Sequence, residues 1–188
     1  TKTVCDLPGP PVELSVVTAG LTRSPEPPWP FLLHLNRSPD AVRVVFGAGH
    51  RGDPDLLMHC AVTRAAGVAL CGPPAAEVFG EVPRDVVRRY LIEELEWGLR
   101  EASEHYVVLN ACRALAFDQE GWLLSKQDGA TWARYRLVAH EALISQVLVE
   151  RQRALTDPSF SPGWVRRPGR DAHALVADVI RCLSADSA

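Results

Sequence analysis

The run Val107-Val108-Leu109-Asn110-Ala111-Cys112-Arg113-Ala114-Leu115-Ala116-Phe117 constrains this chain most. It is apolar nearly all round, and a helix without a polar face has to be enclosed by other elements. The spacing predicts a helix over Tyr106–Phe117 at the centre of a bundle. The flanking sequence supplies its partners. Arg84–Ala102 repeats apolar residues at Val87, Leu91, Leu95 and Leu99, a stripe at helical period. Ser125 is placed to cap a short helical turn before Trp132. Val138–Leu155 reads as a long helix, Pro158–Pro168 as a loop, and Asp171–Ser184 as a last amphipathic helix.

Upstream the pattern changes near residue 53. Residues 1–52 are rich in Pro and Gly and hold two short apolar stretches. Val12-Glu13-Leu14-Ser15-Val16-Val17 alternates with period two, which puts Val12, Leu14 and Val16 on one face of a strand. Val42–Phe46 is a second, weaker strand candidate, and the four prolines within Ser24–Pro30 exclude regular structure over that stretch. Asp53 or Asp55 can cap a helix running to about Ala66, where Gly67 stops it. Gly72-Pro73-Pro74 is a break, and Ala75–Phe79 is long enough for a short helix. The expectation is an α+β fold, mostly α, with a sheet-bearing segment over 1–52 and a helical bundle over 53–188.

Composition narrows the class. With 188 residues, 47% of them hydrophobic, the chain can bury one good core, or one core and part of a second. A net charge of -3 speaks against a nucleic-acid scaffold, and no apolar run approaches the ~20 residues of a membrane span. Five scattered cysteines form no C-x-x-C, which points to a reduced, cytoplasmic protein without a disulfide framework or zinc knuckle. His59-Cys60 with Cys71 lacks a fourth ligand at suitable spacing, so no metal site is expected.

A literal G-x-G-x-x-G follows Val42–Phe46 at Gly47–Gly52. A dinucleotide site needs a helix N-terminus facing the pyrophosphate, and here Asp53-Pro54-Asp55 would put two anions there. The next strand-like run, Val68–Cys71, ends without the acidic residue that a ribose requires. A flexible loop is the better reading, with a nucleotide-binding oxidoreductase as the weaker one.

The polar residues set into the apolar pattern are the functional candidates. Asn110 and Arg113 are three apart and share a face of the central helix. A guanidinium brought into a bundle needs a partner, either a structural carboxylate or a ligand phosphate matching its planar fork. Lys126 stands just after the Ser125 cap in a chain whose only other lysine is Lys2. It is either a solvated surface residue or a point charge for a phosphate oxygen. Glu13 is either the solvent-facing alternate of its strand or a carboxylate that binds a metal or accepts a proton. Glu93–Glu104 is acidic around Trp97. It reads as a solvated helix face with Arg89–Glu93, Glu96–Arg100 and Arg100–Glu104 pairs, or as a subsite for a polycationic ligand.

Three segments together resemble the aminoglycoside (3'') adenylyltransferases, which act on streptomycin and spectinomycin. They are Asp53-Pro-Asp-Leu-Leu with Val68-Ala-Leu-Cys-Gly-Pro-Pro-Ala-Ala-Glu-Val-Phe79 and Val82-Pro83; Tyr106–Arg113 through Ser125-Lys126; and Val12–Val17. The resemblance implies a nucleotidyltransferase sheet, of which 1–52 is the C-terminal remnant, closed by a helical domain. It implies transfer of AMP from Mg-ATP to an aminoglycoside hydroxyl, with Glu13 as general base and Arg113 and Lys126 on the ATP phosphates. Trp97, Glu101 and Glu104 fall near the family's antibiotic-binding segment, and the implied partner is a small cationic drug rather than a nucleic acid or membrane. The family's G-S and D-x-D motifs, which bind magnesium with ATP, do not occur within Thr1–Val12. A transferase would therefore need that half to be completed, and the alternative is a non-catalytic helical ligand-binding or interaction module.

Overall fold

A computed structural model describes residues 12–38, 41–157 and 166–185. The chain forms two compact units, residues 1–83 and 84–188. The change of periodicity near residue 53 therefore does not coincide with the division between cores. Periodicity reports the type of an element, whereas the core it joins depends on packing. In this case the helical residues 53–83 fall in the same compact unit as the sheet.

In the first unit β1 (Val12–Val16), β2 (Leu33–Arg37) and β3 (Val42–Phe46) form an antiparallel sheet in the order β1-β2-β3. β1 and β3 were expected. β2 was not, although Leu33-His34-Leu35-Asn36-Arg37 alternates as they do. The short helix α1 (Ala19–Arg23) is also new; it is started by Thr18, whose hydroxyl accepts from the Leu21 amide at 3.3 Å. The register pairs Glu13 with Asn36, Ser15 with His34, Asn36 with Arg43 and His34 with Val45. Directly opposed residues share a face, so Glu13, Ser15, His34, Asn36 and Arg43 make one polar face. The opposite face is apolar except for Arg37; its Leu14, Val16, Val44 and Phe46 are exposed, while Leu35 and Arg37 are buried.

α2 (Leu56–Ala66) buries Leu56, Leu57 and Cys60, and Gly67 ends it as expected. α3 (Ala75–Val78) is held to it by Arg64, whose guanidinium donates to the carbonyls of Ala76 and Phe79 at 2.5 and 2.6 Å. Val68–Cys71 is not a strand: it has no regular structure, and Val68 and Leu70 are exposed. The Gly47–Gly52 run is a loop between an antiparallel strand and α2, so the parallel βαβ unit of a dinucleotide fold is not formed here. Its glycines answer a packing demand instead. A Cβ on Gly52, at φ 95°, would fall 1.6 Å from the Pro28 carbonyl oxygen, and one on Gly47 would fall 1.6 Å from that of Phe31.

The second unit is helical: α4 (Arg84–Glu101), α5 (Glu104–Glu120), α6 (Lys126–Ala133), α7 (Glu141–Thr156) and α8 (Arg170–Ala185). α5 is its centre, with Val107, Val108, Ala111, Cys112, Ala114, Leu115 and Ala116 all buried. It packs on α4, α6, α7 and α8. The helix is longer at both ends than its apolar run. Ser103 caps it by accepting from the Tyr106 amide at 3.3 Å, and Gly121 leaves it in the left-handed region at φ 72°. Ser125 caps α6 as expected, accepting from the Asp128 amide at 3.1 Å. The long helix expected over Val138–Leu155 opens with a separate 3₁₀ turn at Val138–His140. Burial pushes the Cys112 thiol up to about 12, which leaves it an unreactive core residue.

The charged pairs differ from those expected. Arg89 bonds Asp85 at 3.2 Å rather than Glu93. Glu104 is buried and turns from Arg100 to Arg166, at 2.6 Å, while its other oxygen accepts from the Gly169 amide at 2.8 Å. Asp118, also buried, pairs with Arg88 at 2.7 Å. Burial removes much of the solvent screening that weakens the exposed Arg89–Asp85 pair, so the Glu104 and Asp118 pairs are the stronger ones.

His105 lies under this unit's surface, its Nε2 2.8 Å from a Glu150 oxygen. Burial holds its pKa below the ordinary histidine value; Glu150 and Glu104 oppose the shift, and Arg166 and Arg151 reinforce it. The folded state therefore favours the neutral imidazole, while the unfolded chain takes up a proton near pH 6.5. This contribution to stability is complete above about pH 6.5 and is lost as pH falls below it. Denaturant unfolding between pH 7.5 and 5 should show falling stability on the acid side. A flatter dependence is expected in His105→Gln, and an unchanged one would show that His105 is not responsible.

Candidate functional site

The helical unit gathers cations where α5, α6 and α7 meet. α6 approaches α5 through Gly129: a Cβ there would come 2.8 Å from Arg113 Cγ and 3.3 Å from its Cα. This close contact brings the start of α6 alongside Arg113. The Arg113 Nε donates to the Leu124 carbonyl at 2.8 Å, and Nη1 donates to Asn110 Oδ1 at 3.3 Å. Neither acceptor carries a formal charge, and among the described residues Arg113 makes no ion pair. Burial lowers its pKa, with Tyr106 and Tyr90 acting the other way. An arginine starts so high that it stays cationic at neutral pH.

Lys126 is the first residue of α6, and its ammonium lies 4.9 Å from the centre of the Tyr106 ring. Burial lowers its pKa, the charges of Arg113 and Arg151 lower it further, and Glu94 opposes them. Arg151 of α7 is thus a third cation of the cluster, and its Nε is buried without a hydrogen bond. Nothing in the sequence marks Arg151 apart from its neighbours; only the packing of α7 brings it here. Among the described residues the carboxylate acting on Lys126 is Glu94, which also accepts from the Tyr106 hydroxyl.

Trp97 is half-exposed and stands edge-on to the same tyrosine, with ring centres 5.9 Å apart at 78°. Tyr106 therefore joins Trp97 to Lys126. Glu101 is exposed at the end of α4. Glu104, placed by sequence beside these two, is instead buried against Arg166 and Gly169, so its charge is already used within the fold.

In the first unit, Glu13 is half-exposed on the polar face of the sheet. Its Oε1 lies 3.8 Å from His34 Nε2 and 3.9 Å from His59 Nε2 of α2. Ser15 Oγ is 2.9 Å from His34 Nδ1, which fixes the ring's orientation. Both imidazoles thus face one carboxylate oxygen. The sequence held no signal for this grouping, because a strand, its neighbour and a helix each supply one residue. Among the described residues, no group of three or more His, Cys, Asp or Glu is arranged to hold a metal ion.

Residues 77–159 match the family model described as the aminoglycoside adenylyltransferase C-terminal domain. The match covers less than half of the chain and is a similarity to that domain family. It takes in α4 to α7 and with them Trp97, Glu101, Arg113, Lys126 and Arg151, whereas Glu13 lies outside it. No curated protein matches the chain. No helix among the described residues is long and apolar enough to cross a membrane.

In this helical unit the Gly129 contact is the joint on which the cluster depends. Gly129→Ala would force α6 off the Arg113 backbone, at a cost of about 1–3 kcal/mol as for other overpacked sites. Its denaturant midpoint should fall accordingly. A fully stable Gly129→Ala would show that α6 can yield without strain.

Proposed function

We propose that this chain serves an aminoglycoside nucleotidyltransferase reaction, with the helical unit binding the polyphosphate of ATP. The observation that carries this reading is the cation cluster. The charges of Arg113 and Arg151 both act on Lys126, with Glu94 as the opposing carboxylate. Gathering like charges in a partly buried place is unfavourable unless an anion joins them. A triphosphate meets that need: the planar guanidinium forks match phosphate oxygens, and the ammonium adds a point charge. The similarity of the helical stretch to that domain family supports the same assignment.

On this reading Glu13 of the first unit is the general base. With His34 and His59 facing Oε1, its Oε2 is the oxygen to take the acceptor's proton. The drug hydroxyl gives up that proton and its oxygen bonds to the α-phosphorus of ATP. The bond from that phosphorus to the bridging oxygen breaks, and pyrophosphate leaves with the electron pair. Trp97 and Glu101 offer an aromatic surface and a carboxylate to a cationic drug. Magnesium is expected from the family, but no group among the described residues fits it. The resemblance implies that a G-S and D-x-D pair would supply its ligands. ATP as co-substrate accords with a cytoplasmic setting.

Titration calorimetry with ATP tests the reading. Arg113→Gln should weaken ATP binding by about tenfold or more, the usual cost of losing charge-assisted hydrogen bonds. Lys126→Gln should weaken it in the same direction, and Trp97→Phe should leave it unchanged. If Arg113→Gln binds ATP like the native chain, the cluster is not the phosphate site. Formation of AMP-spectinomycin or AMP-streptomycin, followed with labelled ATP, tests the reaction itself.

A further inference from the structure

Ser15 and His34 are direct cross-strand partners on the polar face of the sheet, and Glu13 stands two residues before Ser15 on the same face. The register therefore sets a hydroxyl, an imidazole and a carboxylate side by side. Ser15 Oγ lies 2.9 Å from His34 Nδ1, and the ring's other nitrogen, Nε2, lies 3.8 Å from Glu13 Oε1. The His34 side chain is only 17% exposed, which limits the competition of water for either nitrogen. Ser15 itself is half-buried.

The protons in this row follow from the acceptors. A neutral imidazole carries one hydrogen, and an ionised carboxylate can only accept. Glu13 therefore favours the tautomer with the hydrogen on Nε2. Nδ1 is then the nitrogen with the lone pair, and the Ser15 hydroxyl donates to it. The hydroxyl proton already points at a base, and that base has an anion behind it. A bond that only tied two strands together would need no carboxylate on the far side of the ring. At 3.8 Å the Glu13 contact is an ion-pair distance rather than a hydrogen bond, and catalytic pairs commonly tighten when substrate binds. His59 Nε2 faces the same oxygen at 3.9 Å, so two rings share this carboxylate.

We propose that Ser15, His34 and Glu13 form a nucleophilic triad that hydrolyses small esters, an activity separate from nucleotidyl transfer. Ser15 Oγ attacks the carbonyl carbon, and its proton passes to His34 Nδ1 while Glu13 offsets the imidazolium charge. The carbonyl then re-forms and the bond to the alcohol oxygen breaks. The alcohol leaves with that electron pair and takes the proton from Nδ1. Water next attacks the acyl group on Ser15 and gives its proton to Nδ1. The acid departs, and the proton returns to Ser15 Oγ. Water is the only co-reactant. Asn36, the next residue of β2 on this face and the cross-strand partner of Glu13, carries an amide that can donate to the developing oxyanion. A pocket of about 290 Å³ whose lining includes Phe31, His34, Asn36 and Val45 gives room for a small acyl or alcohol group. The triad does not rest on the transferase reading, although both use the Glu13 carboxylate.

Diisopropyl fluorophosphate and 4-nitrophenyl acetate are the probes. The phosphofluoridate should add one diisopropylphosphoryl group to the full chain, and peptide mapping by mass spectrometry should place it on Ser15. 4-Nitrophenyl acetate should release a burst of nitrophenolate approaching one per chain. Ser15→Ala should remove both the label and the burst. His34→Gln should slow labelling about hundredfold, the usual contribution of a general base, and Glu13→Gln should slow it in the same direction. Melting curves establish that each variant is folded, and Arg113→Gln should label like the native chain. The proposal is overturned if the native chain takes no label, if the label lands on another residue, or if Ser15→Ala keeps the burst. Loss of the triad on this test leaves the ATP site standing, and ATP binding that ignores Arg113 leaves the triad standing.

Discussion

The helical unit depends on the close approach of α5 and α6 at Gly129. α5 is apolar over most of its circumference and needs neighbours on all sides, but it carries Asn110 and Arg113 on one of them. A neighbour with a side chain at position 129 would stand off from that polar strip. Glycine lets α6 reach the Arg113 backbone, so the Leu124 carbonyl, ahead of the α6 cap, can satisfy the Nε of a half-buried guanidinium. The same contact brings Lys126 to Tyr106 and into the field of Arg113. Packing and charge placement are therefore one event.

Two kinds of buried charge result. Glu104 with Arg166, and Asp118 with Arg88, are matched pairs of opposite sign that hold segments of the unit together. Arg113, Lys126 and Arg151 are like charges opposed at Lys126 by Glu94, and burial depresses the pKa of the first two. Matched pairs serve the fold, whereas a surplus of one sign favours a ligand of the other. The distinction separates Glu104 from Trp97 and Glu101, although all three lie close together in sequence. The first unit holds a related contrast on a sheet. One face is apolar except for Arg37, and the other collects Glu13, His34, Asn36 and Arg43, with His59 of α2 beside Glu13.

Much of this architecture was legible from the chain. The apolar run of α5, the stripe of α4, the Ser125 cap and the strands β1 and β3 follow from period and from the chemistry of helix ends, which act within a few residues. The pairing of Asn110 with Arg113 follows from helical spacing alone. Sequence by itself thus determined the element types, the central place of α5 and the candidacy of Glu13, Arg113 and Lys126. Tertiary structure decided what each of these faces. It revealed β2, whose alternation acquires meaning only when β1 and β3 flank it, and it placed α2 and α3 with the sheet. It drew Glu104 inward to Arg166, brought Arg151 from a distant helix to Lys126, and set His34 and His59 around Glu13. Each of these depends on contacts between residues far apart in the chain, and such contacts are fixed by the packing of whole faces rather than by local spacing.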